Sequence, residues 1–307
     1  MRTTALRATV TVCFIISQTS EIKRHMKETT TCYCVGGLTI ALRGPSFAES
    51  RFLAPFRCEE AVPQIEFTVS VGHPTLPTGL TALKRTLHTA EYLQNGRHLR
   101  VMFQECSEKL LLTQTEEAAG RYRVCLEEAC LPLYDTNLVL KLLELPKLLL
   151  EHGGIFLHAS FINDRGRAIL FTAPKQTGKS TQAALWQRYR SAEIVNGDRA
   201  LLRRVDGCWR AYGSPYCGTS GICENRALPL RAVVLLRQGK RNELRPASAR
   251  EAAAAFLDGC TYEPETQTEA VLDAALHIWR EIPLLYFACL PEESAVVCLE
   301  NALRDKV

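Results

Sequence analysis

The sequence is most informative at first for what it lacks. No Lys/Arg run is interleaved with aromatic residues, and the net charge is only +4. Nucleic acid is therefore not an implied partner. Past the first residues, no apolar window is long enough for a membrane span. There are no internal repeats and no low-complexity linkers. No C-x-x-C pair occurs, and neither Cys32-Tyr33-Cys34 nor the Cys125/Cys130 pair has His partners at zinc-finger spacing. The thirteen cysteines are odd in number and scattered. Their density is about 4%, below the roughly 8–10% of a disulfide scaffold. Free thiols in a reducing cytoplasm are the expected state.

What is present is a globular composition, 47% apolar and 23% charged over 307 residues. That is enough for one large domain or two ordinary ones. The start of the chain, "MRTTALRATVTVCFIISQTS", carries two arginines and a short apolar run ending at Ile16. It resembles a signal peptide superficially but has no clear A-x-A site. Met26 precedes the polar "KETTT" and a strand-like segment, so residues 1–25 are expected to be an unfolded upstream extension with Met26 as the natural start.

Residues 32–134 read as a mostly antiparallel β region. Short runs such as "LTIAL", "QIEFTVSV", "KLLLTQT" and "RYRVCLEE" are separated by Gly, Pro, Asn and Asp, and Asn95-Gly96 marks a hairpin. Residues 135–307 read as an α/β domain, with strands alternating with helices as in a layered core. It opens with a helix over 135–151 that Pro146 kinks or splits. Ser248 and Glu251 form a capping box for a later helix that Gly259 stops.

The segment that points to chemistry is Ala168 to Trp186, "AILFTAPKQTGKSTQAALW". An apolar strand, a short loop and a helix follow in order, and the loop ends in Gly178-Lys179-Ser180. Such a corner aims backbone N–H groups and a helix N-terminus at an anion. A lysine then reaches the outer phosphates, and a Ser or Thr hydroxyl binds magnesium. Ala173 departs from the G-x-x-x-x-G-K-[ST] pattern at its first glycine. If that position needs a positive φ, alanine is strained there, and Pro174 biases Ala173 toward extended backbone. Lys175 and Gln176 stand where such loops often carry small residues, and Lys175 adds a second positive charge.

Four ordered pieces then resemble a known family: "GIFLHAS", "APKQTGKST", "EIVNGDRALL" and "AYGSPYCGTSGICENRALPLRAVVLL". Residues from about 150 to 240 are similar to the catalytic domain of HPr kinase/phosphorylase, and more closely to HPr-kinase-like proteins found beside peptide-modification genes. The resemblance implies a phosphate-loop α/β core related to phosphoenolpyruvate carboxykinase. It implies ATP- and Mg²⁺-dependent phosphorylation of a serine hydroxyl on a small protein or ribosomally made peptide. It also implies a cytoplasmic location and allows a homo-oligomer. Carried over, Lys179 neutralises phosphate charge and Ser180 ligates magnesium, with Thr181 behind it. The backbone of Thr177, Gly178, Lys179 and Ser180 lines the phosphates, with Ala173 and Lys175 completing the loop. The family has two adjacent aspartates where this chain has Gly197 and Asp198, so Asp198 is base, magnesium-organising group, or both; alternatively it is a turn residue pairing with Arg199. His158 orients the aspartate or is a satisfied core histidine. In "ENRALPL", Glu224 is a second metal-side acid and Arg226 a phosphate contact, or both belong to an exposed charged turn. The loop "YGSPYCGTSGIC" suits a covering element. Two rivals stand beside the kinase reading: a nucleotide-binding accessory protein that transfers nothing, and a small-molecule kinase on the same core.

Overall fold

The computed structural model describes residues 27–59, 61–104, 107–262 and 264–304. The expected extension over 1–25 and Met26 lie outside them. The chain divides into two compact units between Leu143 and Glu144. The protein is mixed α/β, built on two large sheets. Among the described residues, no helix is long and apolar enough to cross a membrane.

The first unit is a nine-stranded sheet. Its strands are β1 (Glu28–Val35), β2 (Leu38–Pro45), β3 (Arg57–Cys58), β4 (Ile65–Gly72), β5 (Thr81–Arg85), β6 (Thr89–Gln94), β7 (Arg97–Phe103), β8 (Leu110–Ala118) and β9 (Arg121–Glu127). Their spatial order is β3-β1-β2-β4-β9-β8-β7-β6-β5. Hairpins join most neighbours, and the Asn95-Gly96 turn takes φ values of 51° and 77° as a two-residue hairpin turn requires. β4 departs from the antiparallel pattern, pairing in parallel with both β2 and β9. Alternating burial along β4 and β8 puts Ile65, Phe67 and Val69, and Leu110 and Leu112, in the core. Helix α1 (Thr136–Leu142) starts at Asp135, whose carboxylate accepts from the Leu138 N–H at 2.7 Å.

The helix expected over 135–151 is split. Glu144 sits in the left-handed region (φ 53°), and α2 (Leu145–Glu151) restarts with Pro146 in its first turn. There a missing N–H costs nothing.

The second unit is an eight-stranded sheet. Its strands are β10 (Ile155–Asp164), β11 (Arg167–Thr172), β12 (Glu193–Asn196), β13 (Arg199–Val205), β14 (Cys208–Tyr212), β15 (Ala227–Gln238), β16 (Glu243–Pro246) and β17 (Leu284–Cys289). Its helices are α3 (Lys179–Arg190), α4 (Ala249–Gly259), α5 (Pro264–Glu281) and α6 (Glu293–Arg304). β15 is the pivot: its start pairs antiparallel with β14, and further along it runs parallel to β11 and to β17.

Two cores result. On one face Leu157, Phe161, Leu170 and Val233 pack with Ala252 and Phe256 of α4 and Val271 and Ile278 of α5. On the other, Ile169, Phe171, Val234 and Phe287 pack with Trp186 of α3 and Leu299 of α6. Trp186 is fully buried, and its truncation to alanine would cost about 3–5 kcal/mol. The capping box at Ser248 and Glu251 is present. Gly259 is the last residue of α4 rather than a left-handed stop; Cys260 ends the helix in extended backbone, φ −89° and ψ 157°.

Candidate functional site

The loop Ala173–Gly178 joins the end of β11 to the first turn of α3. Ala173 is not among the positive-φ residues. The left-handed turn falls instead at Gln176 (φ 62°), with Gly178 at φ 115°. The missing glycine at 173 thus carries no backbone strain. The loop turns after Ala173 rather than at it, and Gln238 Nε2 steadies it by donating to the Gln176 carbonyl at 3.2 Å.

No side chain caps the N-terminus of α3. Its first-turn N–H groups are therefore open to an anion, with the helix dipole behind them. Ser180 and Thr181 lie exposed in that turn, and Thr177 is half-buried. Lys179 is buried, and its Nζ donates to the carbonyl oxygens of Ala173 (2.8 Å) and Pro174 (3.2 Å). The ammonium is folded back onto its own loop, and burial lowers its pKa against the pull of Asp198.

Asp198 stands at the same end of the strands, because β10 pairs with β11 on one edge and with β13 on the other. His158 Nδ1 lies 3.0 Å from the Asp198 carbonyl oxygen and 3.3 Å from its Oδ1. The carbonyl contact places the ring proton on Nδ1 and leaves Nε2 as the acceptor of the neutral ring. Burial first, and then the Lys179 charge, hold His158 below its ordinary value of 6.5, while Asp198 pulls the other way. Thr172 Oγ1 donates to the His158 carbonyl at 3.0 Å, tying the end of β11 to the histidine.

The turn that presents Asp198 is held by a residue that sequence reasoning passed over. Asn196 is fully buried, and its Oδ1 accepts from the N–H groups of Asp198 (2.9 Å) and Arg199 (2.8 Å). Its Nδ2 donates to the Ser214 carbonyl at 2.8 Å, and the Ser214 hydroxyl donates to the Arg199 carbonyl at 2.7 Å. This is an Asx turn clamped from behind. An Asn two residues before the acid was the available signal.

Gly197 is demanded by a close approach. A Cβ there would meet Ser220 Oγ at 2.1 Å. The short 3₁₀ turn Gly218–Ser220 occupies the place where a second acid would project. Gly218 in turn lies against Asp198, where a Cβ would come within 2.8 Å of Oδ1. The "YCGTSG" loop therefore covers Asp198; Cys217 within it and Cys223 just after it are free thiols.

Glu224 and Arg226 are placed elsewhere. The Arg226 guanidinium pairs with Glu193, which also accepts from Asn163 Nδ2 at 2.7 Å. Glu224 Oε2 lies 3.7 Å from that guanidinium. Asn163 is paired with Ala168, at the far end of the β10–β11 hairpin from the loop. Five residues of β10 separate Asn163 from His158, about 17 Å along the strand. Both side chains thus belong to an exposed charged cluster, apart from Lys179 and Asp198.

Beside the loop lies a cavity of about 620 Å³. Its walls come from the loop (Ala173, Pro174, Lys175), from His158 and Arg199, from the end of β15, and from α4. Among the described residues, no three His, Cys, Asp or Glu side chains gather as a metal site. Magnesium fits this corner in the way it usually binds, through one or two oxygen ligands plus substrate phosphates. The oxygen-bearing side chains at this corner that would hold it are Ser180, exposed in the first turn of α3, and Asp198.

No family model and no curated protein matches the chain. Among solved structures, the chain is similar to the HPr(Ser) kinase/phosphatase from Coxiella burnetii, at 12% identity and a TM-score of 0.29. That match covers 49% of this chain and 89% of the other. At so low a likeness, the reading of the site stands on its own residues.

Proposed function

We propose that the second unit is a nucleotide-dependent phosphotransferase that moves the γ-phosphoryl group of ATP to a hydroxyl. The observation that carries this reading is the convergence of Lys179, Asp198 and His158 on the strand–loop–helix corner whose helix N-terminus is uncapped. Phosphoryl transfer asks for positioning and charge neutralisation more than for covalent chemistry. The N–H groups of Thr177 to Ser180 hold the phosphates, and Lys179 leaves the Ala173 and Pro174 carbonyls to take the outer ones. Magnesium, held by Ser180 and Asp198, supplies neutralisation of phosphate charge. Asp198 takes the acceptor proton, and neutral His158 fixes the carboxylate by its Nδ1 contacts. The family resemblance suggests a serine of a small protein or peptide as the acceptor, and a small-molecule hydroxyl is the rival acceptor that the same chemistry would serve.

Calorimetry of ATP with and without Mg²⁺ tests this on the wild type and on Lys179→Ala. Mg²⁺-dependent binding that the variant loses supports the reading, and absence of binding in the wild type ends it. A second reading, an accessory protein that binds nucleotide without turnover, draws on Gly197, where Ser220 leaves no room for a second acid. Tight binding with no transfer to any acceptor selects it.

A further inference from the structure

The cavity beside the loop has a definite relation to the phosphate chain. A phosphate-loop lysine reaches the β- and γ-phosphates. Here the Lys179 ammonium rests on the carbonyls of Ala173 and Pro174, and those two residues are also a wall of the cavity. His158 and Arg199, whose side chains both lie against the Asp198 carboxylate (3.3 Å and 3.7 Å), line it as well. The cavity therefore borders the part of the loop on which Lys179 rests, with Lys179 and Asp198 standing behind its walls.

Its size, about 620 Å³, falls within the range of small-molecule sites, roughly 300–1,000 Å³. Leu235, Leu236, Ala254 and Ala255 give it an apolar wall. The alanines of α4 are what keep it open, since any larger side chain there would fill it. Of its charged groups, Glu251 is committed to Arg245 (2.6 and 2.9 Å), and Arg199 is bonded to Thr261. Lys175 and Arg237 are exposed cations with no partner among the described residues, and Asp258 is the one uncommitted acid. The uncommitted charge is thus net positive.

Resting on the phosphotransferase reading, we infer that this cavity is the acceptor site and takes a small hydroxy acid. Its apolar body lies on Leu235 and Ala255, and its carboxylate lies between Lys175 and Arg237. Its hydroxyl lies at the wall made by His158 and Arg199, the two side chains in contact with the Asp198 carboxylate. The hydroxyl oxygen bonds to the γ-phosphorus of ATP, the bond from that phosphorus to the β–γ bridging oxygen breaks, and its electron pair leaves with ADP. The hydroxyl proton is taken up by the His158–Asp198 pair at that wall.

The test uses the full chain and dansyl-L-serine, which has a hydroxyl, a carboxylate and an apolar fluorophore. The dansyl amide of ethanolamine is the comparison, with the hydroxyl but no carboxylate. Binding is read by fluorescence, and Mg·ATP binding by calorimetry. Dansyl-serine should bind about tenfold tighter than the neutral compound, the worth of one charge-assisted contact. Arg237→Ala, a change at an exposed side chain, should erase that advantage. Ala255→Trp should lose dansyl-serine and keep Mg·ATP. Lys179→Ala should do the reverse. Equal binding of the two probes overturns the proposal, as does undiminished dansyl-serine binding in Ala255→Trp. Loss of Mg·ATP in Ala255→Trp also overturns it, because the cavity would then hold the nucleoside. Transfer to a peptide serine without dansyl-serine binding overturns the cavity assignment and leaves the phosphotransferase standing. Failure of the wild type to bind Mg·ATP removes the phosphotransferase itself, whatever the probes do.

Discussion

Both units close structural joints with buried polar groups, such as Arg231–Asp164 in the second, but among the described residues only the second also gathers them at one place. In the first, they close structural joints. Arg100 donates to the Leu142 carbonyl at 2.9 Å, securing the end of α1, and Thr136 Oγ1 accepts from the Ser50 N–H at 3.0 Å. Each ties neighbouring elements together, and Arg100 also reaches Gln114 Oε1 at 3.4 Å. In the second, Thr172, Lys179, Asn196 and Ser214 are all buried, and their bonds converge on the loop and on the turn of Asp198. Burying a polar group is costly unless its bonds are made. Spending that cost repeatedly at one end of a sheet is what separates a site from a joint.

The sharpest way to break the comparison is Asp198→Asn. Phosphoryl transfer should fall by roughly 10²–10⁴-fold, the usual worth of an acid–base group. Nucleotide binding should survive, as single-turnover kinetics would reveal. Next comes a matched pair of cation deletions. Lys179→Ala should weaken Mg·ATP by about a hundredfold, on the order of two charge-assisted contacts. Arg100→Ala should instead lower the stability of its unit by about 2–3 kcal/mol and leave nucleotide affinity unchanged. Denaturant unfolding and calorimetry together decide, and a change of nucleotide affinity in Arg100→Ala would erase the contrast.

Gly197→Asp would set a second acid beside Asp198 on paper. Because Ser220 fills the space, it should destabilise by about 1–3 kcal/mol through overpacking without raising activity. Adding Ser220→Gly should recover most of the loss, measured as a melting-temperature shift. The smallest effect concerns His158, whose folded pKa is held below the ordinary 6.5. The unfolded chain then takes up the proton first as pH falls. The stability contributed by the neutral ring is present above pH 6.5 and is lost as pH drops from there toward the folded pKa. His158→Asn should flatten that slope in a pH series of urea unfolding curves, and an unchanged slope would show that the ring titrates normally.

Much of this was legible in the sequence because the signals are local. The Asn95-Gly96 turn, the Ser248 capping box and the strand–loop–helix order each need a few adjacent residues to be read. What escaped depends on distant neighbours. β5 and β16 carry mostly exposed, polar residues and take their form from pairing partners. The destination of Arg226 follows from how β12 lies on β10, which sets Glu193 beside Asn163. Asn196 is invisible until Ser214 is known to stand behind it.

The pairing of β15 has a consequence in time. β11 and β15 are parallel neighbours, yet α3, β12, β13 and β14 lie between them in the chain. Closing so long a loop is entropically slow. The Ala173–Gly178 loop therefore has no finished seat until β15 has been synthesised and has threaded in beside β11. A growing chain that already displays "KQTGKST" should be inert toward nucleotide, and binding competence should arrive late and abruptly, as the last step of folding rather than the first.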